Sequence, residues 1–383
     1  MRVLVAPDSF KGSLGSVEVA RALAAGWRRG RPTDETILAP LADGGEGTLE
    51  AVAAAGGWQW LPAAARDPLG RPLQARFLRD EGGRDRAVVE LAEASGLSRL
   101  TTGERDALAA STFGTGLVLA AAIGLGCRSI VLGLGGSATT DGGSGLLRAL
   151  GARFLDPAGG ELPPGGGGLG SLAHIDFDGL SPTLAEVHLT IASDVTNPLL
   201  GPLGAAATYG PQKSADPAQV ALLDANLAHY ADLLESVTGR HVRDEPGAGA
   251  AGGTTFGLLA LAGHFASLQV RPGVDEVMVL TGFDDALAGC QLVITGEGRV
   301  DAQTAHGKTA LGVARRAQAA GRPCLCFGGG VTPEGAAALA ELGALALPVS
   351  EGPASVEEAM AAGAAPLERA AERAARLVAL LGR

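Results

Sequence analysis

Residues able to do chemistry recur in this chain just after apolar, strand-like runs. Asp8, Ser9 and Lys11 follow RVLVAP, and Asp43 and Glu46 follow TILAPLA. Ser137, Thr139 and Asp141 lie in GLGGSATTDGG after SIVL, Asp194 and Asn197 follow HLTIAS, and Glu297, Arg299 and Asp301 follow QLVITG. In an open parallel sheet, ligands bind at the carboxyl ends of the strands. Carboxylates gathered there would repel one another unless cations sat among them. Mg²⁺, Lys11, Lys213, Lys308 and Arg299 would supply that charge. Glycine loops let backbone N–H groups approach phosphate oxygens, carboxylates suit Mg²⁺, and lysines neutralise phosphate charge. The combined set points to a phosphorylated nucleotide with Mg²⁺. Each Asp or Ser could instead cap the helix that follows it.

Common phosphate motifs do not account for the pattern. HGKT ends like a P-loop, but GxxxxGK[ST] needs glycine at 302 and the chain has Ala302. The protein-kinase signatures are absent. Gly133-Leu134-Gly135-Gly136-Ser137-Ala138 matches the G-x-G-x-x-A dinucleotide fingerprint, with Asp156 ending ARFLD where a ribose-binding acid would sit. Alone it would indicate an NAD-dependent dehydrogenase. That reading crowds Asp141 into the phosphate loop and leaves FKGS, ADGGEG and PQKS without work.

Composition narrows the class. The 383 residues suggest two domains, and the net charge of −11 disfavours nucleic acid and anionic membranes as partners. Cys127, Cys290, Cys324 and Cys326 form no CxxC pair, and the six histidines have no metal-site spacing. This is a reduced, cytoplasmic pattern, and the amino terminus lacks a signal-peptide h-region. Residues 107–127 carry no charge but are rich in small residues, which fits a helix covering a sheet better than a membrane span. Only three of the thirty basic residues are lysines, each beside Gly or Ser in FKGS, PQKS and HGKT. These contexts suggest places where a compact ammonium is needed.

The elements that must position these residues read as strand, loop of small and acidic residues, then helix. Ser16 is placed to cap VEVARALAAGWRR. Residues 116–136 and 310–330 echo one another as helix, glycine turn, strand and glycine loop. Residues 57–100 hold short runs split by DPLGRP and DEGGRD, a texture of antiparallel strands. Residues 156–182 read as a long surface loop, and helices are expected at 217–239 and 355–381. The expected class is α/β with two α/β domains. A Rossmann-like, mostly parallel sheet would be built from both chain ends (1–60 plus 271–383), and a mixed-sheet domain (61–270) inserted, with the active site in the cleft between them.

Taken together, APDSFKGSL (6–14), ADGGEGT (42–48), GLGGSATTDGG (133–143), ASDVTNPLLG (192–201), GPQK (210–213), PGAGAAGG (246–253) and TGEGRVDAQT (295–304) resemble the type I glycerate kinase family, over the whole chain. The resemblance implies a two-domain α/β kinase unrelated to P-loop enzymes, moving the ATP γ-phosphoryl group to the 2-hydroxyl of glycerate. Hydroxypyruvate or tartronate is the alternative acceptor. Two departures stand out: TTFG follows PGAGAAGG where Gly-aliphatic-Gly is usual, and Ser214 follows PQK where glycine is usual.

Roles can then be assigned as expectations. Asp194, with Lys11 and Asn197, forms the catalytic set, Asp194 lying near the accepting hydroxyl. Asp8, Ser9, Lys11, Arg299, Asp43 and Glu46 contact substrate, with Lys11 or Arg299 on its carboxylate. Gly135, Gly136, Ser137, Thr139, Lys213 and Lys308 hold the nucleotide, and Asp141, Glu297 and Asp301 hold Mg²⁺. The partners expected are small molecules, ATP and glycerate; a homodimer is one assembly open to the chain, whose oligomeric state the sequence does not decide.

Overall fold

The structure is a computed structural model that describes residues 1–301, 309–352 and 355–381. The strands are β1 (Arg2–Val5), β2 (Glu35–Leu38), β3 (Trp58–Arg66), β4 (Pro72–Asp80), β5 (Arg86–Glu90), β6 (Ser129–Gly133), β7 (Arg153–Leu155), β8 (His174–Asp176), β9 (His188–Ala192), β10 (Ser267–Arg271), β11 (Leu292–Val300), β12 (Cys324–Val331) and β13 (Ala344–Pro348). The chain divides into two compact units. One comprises residues 1–43, 50–56 and 274–383; the other comprises 44–49 and 57–273. The loop 44–49 thus groups with the second unit.

The first unit is built on a five-stranded sheet of order β13-β12-β11-β1-β2, parallel throughout. The inner strands β1 and β11 are mostly buried, as expected for strands covered on both faces, whereas the edge strand β2 has no buried residue. The helix Ser16–Gly30 lays Val19, Leu23 and Trp27 into the core, and the helix Ala365–Leu381 packs there through Leu367, Ala371 and Ala375. Gly15, not Ser16, is the cap of the first helix, and the Glu18 carboxylate accepts its N–H at 3.0 Å. The expected carboxy-terminal helix is two helices, Val356–Ala361 and Ala365–Leu381, separated at Gly363, whose φ of +59° a continuous helix excludes.

The second unit carries a six-stranded mixed sheet of order β10-β9-β6-β5-β4-β3. Strands β3, β4 and β5 are antiparallel neighbours, as the turn signals predict, whereas β5, β6, β9 and β10 run parallel. Helix Phe113–Gly124 covers this sheet with Val118, Leu119 and Ala122. No helix among the described residues is long and apolar enough to cross a membrane.

The segment 156–182 is not the surface loop expected. It contains β8 and a 3₁₀ stretch, Gly166–Ser171, and buries Leu162, Leu169 and Leu172. Glycine and proline content reads as solvent-exposed loop, but here glycines allow close packing beneath the helix Pro217–Thr238. Asn226 of that helix donates to the carbonyls of Gly166 and Gly167 at 3.0 Å. Cys324 and Cys326 alternate on β12 as expected, both buried and free.

Candidate functional site

In the first unit, β1 and β11 are adjacent, and the chain order runs outward from them in opposite directions, β1 to β2 on one side and β11 to β12 to β13 on the other. This is a topological switch point, the place where open parallel sheets bind ligands. Asp8 stands there: its N–H donates to the Gly296 carbonyl at 2.8 Å, while its carboxylate accepts Ser9 N–H at 2.6 Å and the Thr309 hydroxyl at 2.6 Å. Burial and then the neighbouring Asp43 charge push the Asp8 carboxyl above the ordinary aspartate range. Lys11 Nζ lies 3.1 Å from Asp43, whose charge is the main reason the lysine is held above its ordinary value. Glu297 is buried near the end of β11, and its charge also acts on Lys11. Arg299 and Asp301 pair at 3.0 Å. The structure therefore gathers Asp8, Ser9, Lys11, Asp43 and Glu297 as three acidic groups around one exposed ammonium, with Arg299 further along β11 and its partner Asp301 just past the strand's end. Lys308 lies outside the described residues.

In the second unit, Glu90, Gly133 and Ala192 stand in register at the ends of β5, β6 and β9. The glycine loop 133–143 leaves this edge and passes against the backbone of residues 44–45. Gly135 N–H donates to Gly44, and a Cβ at Gly135 would sit 2.3 Å from Gly45 Cα, so only glycine fits. Gly136 is exposed, but Ser137 and Thr139 are buried and hydrogen-bond each other through their hydroxyls at 2.8 Å.

Three residues of the expected site bond to other parts of the protein, Asp141 and Lys213 from buried positions and Asn197 from a partly exposed one. Asp141 is fully buried. Its carboxylate accepts Thr112 N–H at 2.8 Å, Thr112 Oγ1 at 2.8 Å, Ser111 Oγ at 3.4 Å, Gly143 N–H at 3.1 Å and Gly145 N–H at 3.2 Å. Burial pushes this carboxyl up, and those donors oppose the shift. These donors tie residues 111–112 to the loop, four of them on Oδ2 and one on Oδ1. Lys213 is 2% exposed and donates to the Thr139 carbonyl. Asn197 donates to the Leu203 carbonyl at 2.8 Å and accepts the Tyr209 hydroxyl at 2.8 Å, which commits its amide to its own turn. Asp194 is exposed, with one oxygen accepting Gly273 N–H at 2.8 Å, and Glu46 is exposed on its loop.

Sequence reasoning missed Glu90. Buried at the end of β5, it accepts the N–H of Gly47 at 3.3 Å and of Leu49 at 3.1 Å, fixing the ADGGEGT loop from beneath. The available signal was an acidic residue closing the apolar run AVV.

The dinucleotide reading fails on topology. Asp156 follows β7, which pairs antiparallel with β8 in a separate two-stranded sheet, whereas the ribose acid of that motif must end a strand parallel to β6. Among the described residues, no group of three or more His, Cys, Asp or Glu side chains is placed to hold a metal by itself.

A parallel sheet with acidic groups and a lysine at its switch point, and a glycine loop on a second α/β unit, are the parts of a phosphotransferase. The family model described as the Glycerate kinase family matches residues 3–379. The chain is 42% identical to a glycerate kinase of Bacillus subtilis (strain 168), over 87% of this chain and 86% of that one. It is 41% identical to the glycerate 2-kinase of Escherichia coli (strain K12), over 87% and 86% of the two chains. A crystal structure from Salmonella typhimurium LT2, described as a "putative glycerate kinase 2", superposes with a TM-score of 0.85 at 38% identity, covering 100% of this chain and 99% of that one. The chain belongs to the glycerate kinase family.

Proposed function

We propose that this enzyme transfers the γ-phosphoryl group of ATP to the 2-hydroxyl of D-glycerate, giving 2-phosphoglycerate and ADP. The observation that carries this reading is the grouping of Asp8, Lys11, Asp43 and Glu297 at the switch point of the parallel sheet. The Escherichia coli relative's name supports the choice of the 2-hydroxyl.

In this reading Lys11 and Arg299 meet the substrate carboxylate, while Asp43, Glu46 and Ser9 orient its hydroxyls. The hydroxyl oxygen attacks the γ-phosphorus, the bond from phosphorus to the ADP oxygen breaks, and the hydroxyl proton passes to Asp194. Gly273 N–H holds one oxygen of that carboxylate in place. Gly136 offers its backbone N–H to the phosphates, while Gly135, whose N–H is bonded to the Gly44 carbonyl, keeps the loop against residues 44–45. Mg²⁺ is usually bound by one or two carboxylates together with substrate phosphates. Glu297 and Asp301 would hold it, and when bound it shields the charge on the transferred group.

The test is ³¹P NMR of the protein with Mg·ATP and D-glycerate. A new monoester signal coupled to one proton is the expected result. Coupling to two protons would move the phosphate to C3. Intact ATP would sink the substrate assignment, and hydroxypyruvate and tartronate would be tried next.

A further inference from the structure

Lys213 closes the 3₁₀ turn Pro211–Lys213, and its side chain runs inward until Nζ meets the Thr139 carbonyl. That carbonyl is gripped from a second direction. Residues 251–253 form a left-handed turn, and a Cβ at Gly252 would lie 2.0 Å from the Thr139 oxygen. Gly252 in turn accepts Gly142 N–H at 3.0 Å. On the other side of the loop, Asp141 draws Thr112, Gly143 and Gly145 together. The middle of the glycine loop is thus held between a buried ammonium, a left-handed turn and a buried carboxylate.

Taking an ammonium out of water costs several kcal/mol unless it is paired and hydrogen-bonded. Asp141 provides the opposite charge that favours it. A lysine whose whole length is sealed in the core has no reach left for a phosphate. Only a compact point charge fits that position, which agrees with the retention of lysine in an arginine-rich chain.

We infer that Lys213 is a positioning residue: it fixes the Thr139 carbonyl, and with it the shape of the loop 133–143, without touching nucleotide or substrate. The kinetic arm of this inference rests on the kinase reading; the structural arms do not.

Three measurements test it. In ligand-free Lys213→Met, amide hydrogen exchange at residues 138–143 should quicken at least tenfold, and less in Lys213→Gln, which keeps a donor. Unchanged exchange with lost Mg·ATP affinity would overturn the assignment. In the wild type, reductive methylation read by peptide mass should modify Lys11 and leave Lys213 untouched without nucleotide. Methylation of Lys213 that Mg·ATP prevents would also overturn it, and this arm needs no variant to fold. Kinetically, kcat should fall at least tenfold in Lys213→Met, with partial recovery in Lys213→Gln. If the wild type leaves ATP intact with glycerate, the proposed activity fails, while exchange and methylation still decide the role of Lys213.

Discussion

Lys11 Nζ stands 3.1 Å from Asp43 Oδ2, linking the loop after β1 to the loop after β2. The pair is solvent-exposed on the lysine side, so it adds little to stability. Its value lies in placing a cation among acidic groups. Lys11→Ala should lower kcat/KM for glycerate at least tenfold, about 1.4 kcal/mol of transition-state stabilisation. Urea midpoints should stay within experimental scatter of the wild type. A kcat/KM unchanged in this variant would remove Lys11 from the site.

Glu90 is expected to behave in the opposite way. Glu90→Ala leaves the N–H groups of Gly47 and Leu49 without their buried acceptor, at a cost of about 1–3 kcal/mol. Urea unfolding should show that loss. Glu46→Ala, on the same loop but exposed, should change stability by less than about 0.5 kcal/mol. Equal stabilities for the two variants would contradict the clamp.

Ser214 holds a left-handed conformation, φ +68°, at the position where the family resemblance leads one to expect glycine. A side chain there costs about 1–2 kcal/mol, and glycine's extra chain entropy returns about 0.5–1 kcal/mol of that. Ser214→Gly should therefore stabilise the protein by roughly 0.5–1 kcal/mol. A lower midpoint in chemical denaturation would mean that the serine hydroxyl contributes a contact worth more than the strain.

Burial lowers Lys213 to about 8 from 10.5, with Asp141 opposing the shift and the buried Tyr230 hydroxyl also in the field of Asp141. A depressed folded-state value means the folded protein binds fewer protons between about 8 and 10.5, so stability rises with pH there. The whole shift corresponds to something on the order of 3 kcal/mol. The melting temperature of the wild type relative to Lys213→Met should climb between pH 8 and 10. A flat difference would show that the ammonium is not desolvated.

Asp8 carries the reverse sign. Its carboxyl is raised by burial and by Asp43, against the opposing bonds from Thr309 and Ser9 and the charge of Lys11. The contribution to stability is present below the ordinary aspartate value of 3.8 and is lost as pH rises through the raised one. Wild-type stability relative to Asp8→Asn should accordingly decline from pH 4 upward. Thermal melts of both proteins across pH 4–7 would reveal it, and a difference rising with pH would refute the raised value.

Much of this protein is legible in its sequence because strand and loop chemistry are local. Apolar runs of a few residues ending in small and acidic groups mark β1, β2, β6, β9 and β11, and the parallel pairing brings those endings to one edge of each sheet. Local signals also set the helix Pro217–Thr238, where Asp216 and Gln219 form a capping box. What the sequence does not carry is the direction a polar side chain takes. Asp141 and Lys11 look alike as loop charges, yet one is sealed and the other exposed. The difference comes from partners distant along the chain: Thr112 for Asp141, Thr139 for Lys213, the 47–49 backbone for Glu90. A buried charge is tolerated only where donors or acceptors already wait for it, and tertiary packing alone supplies them.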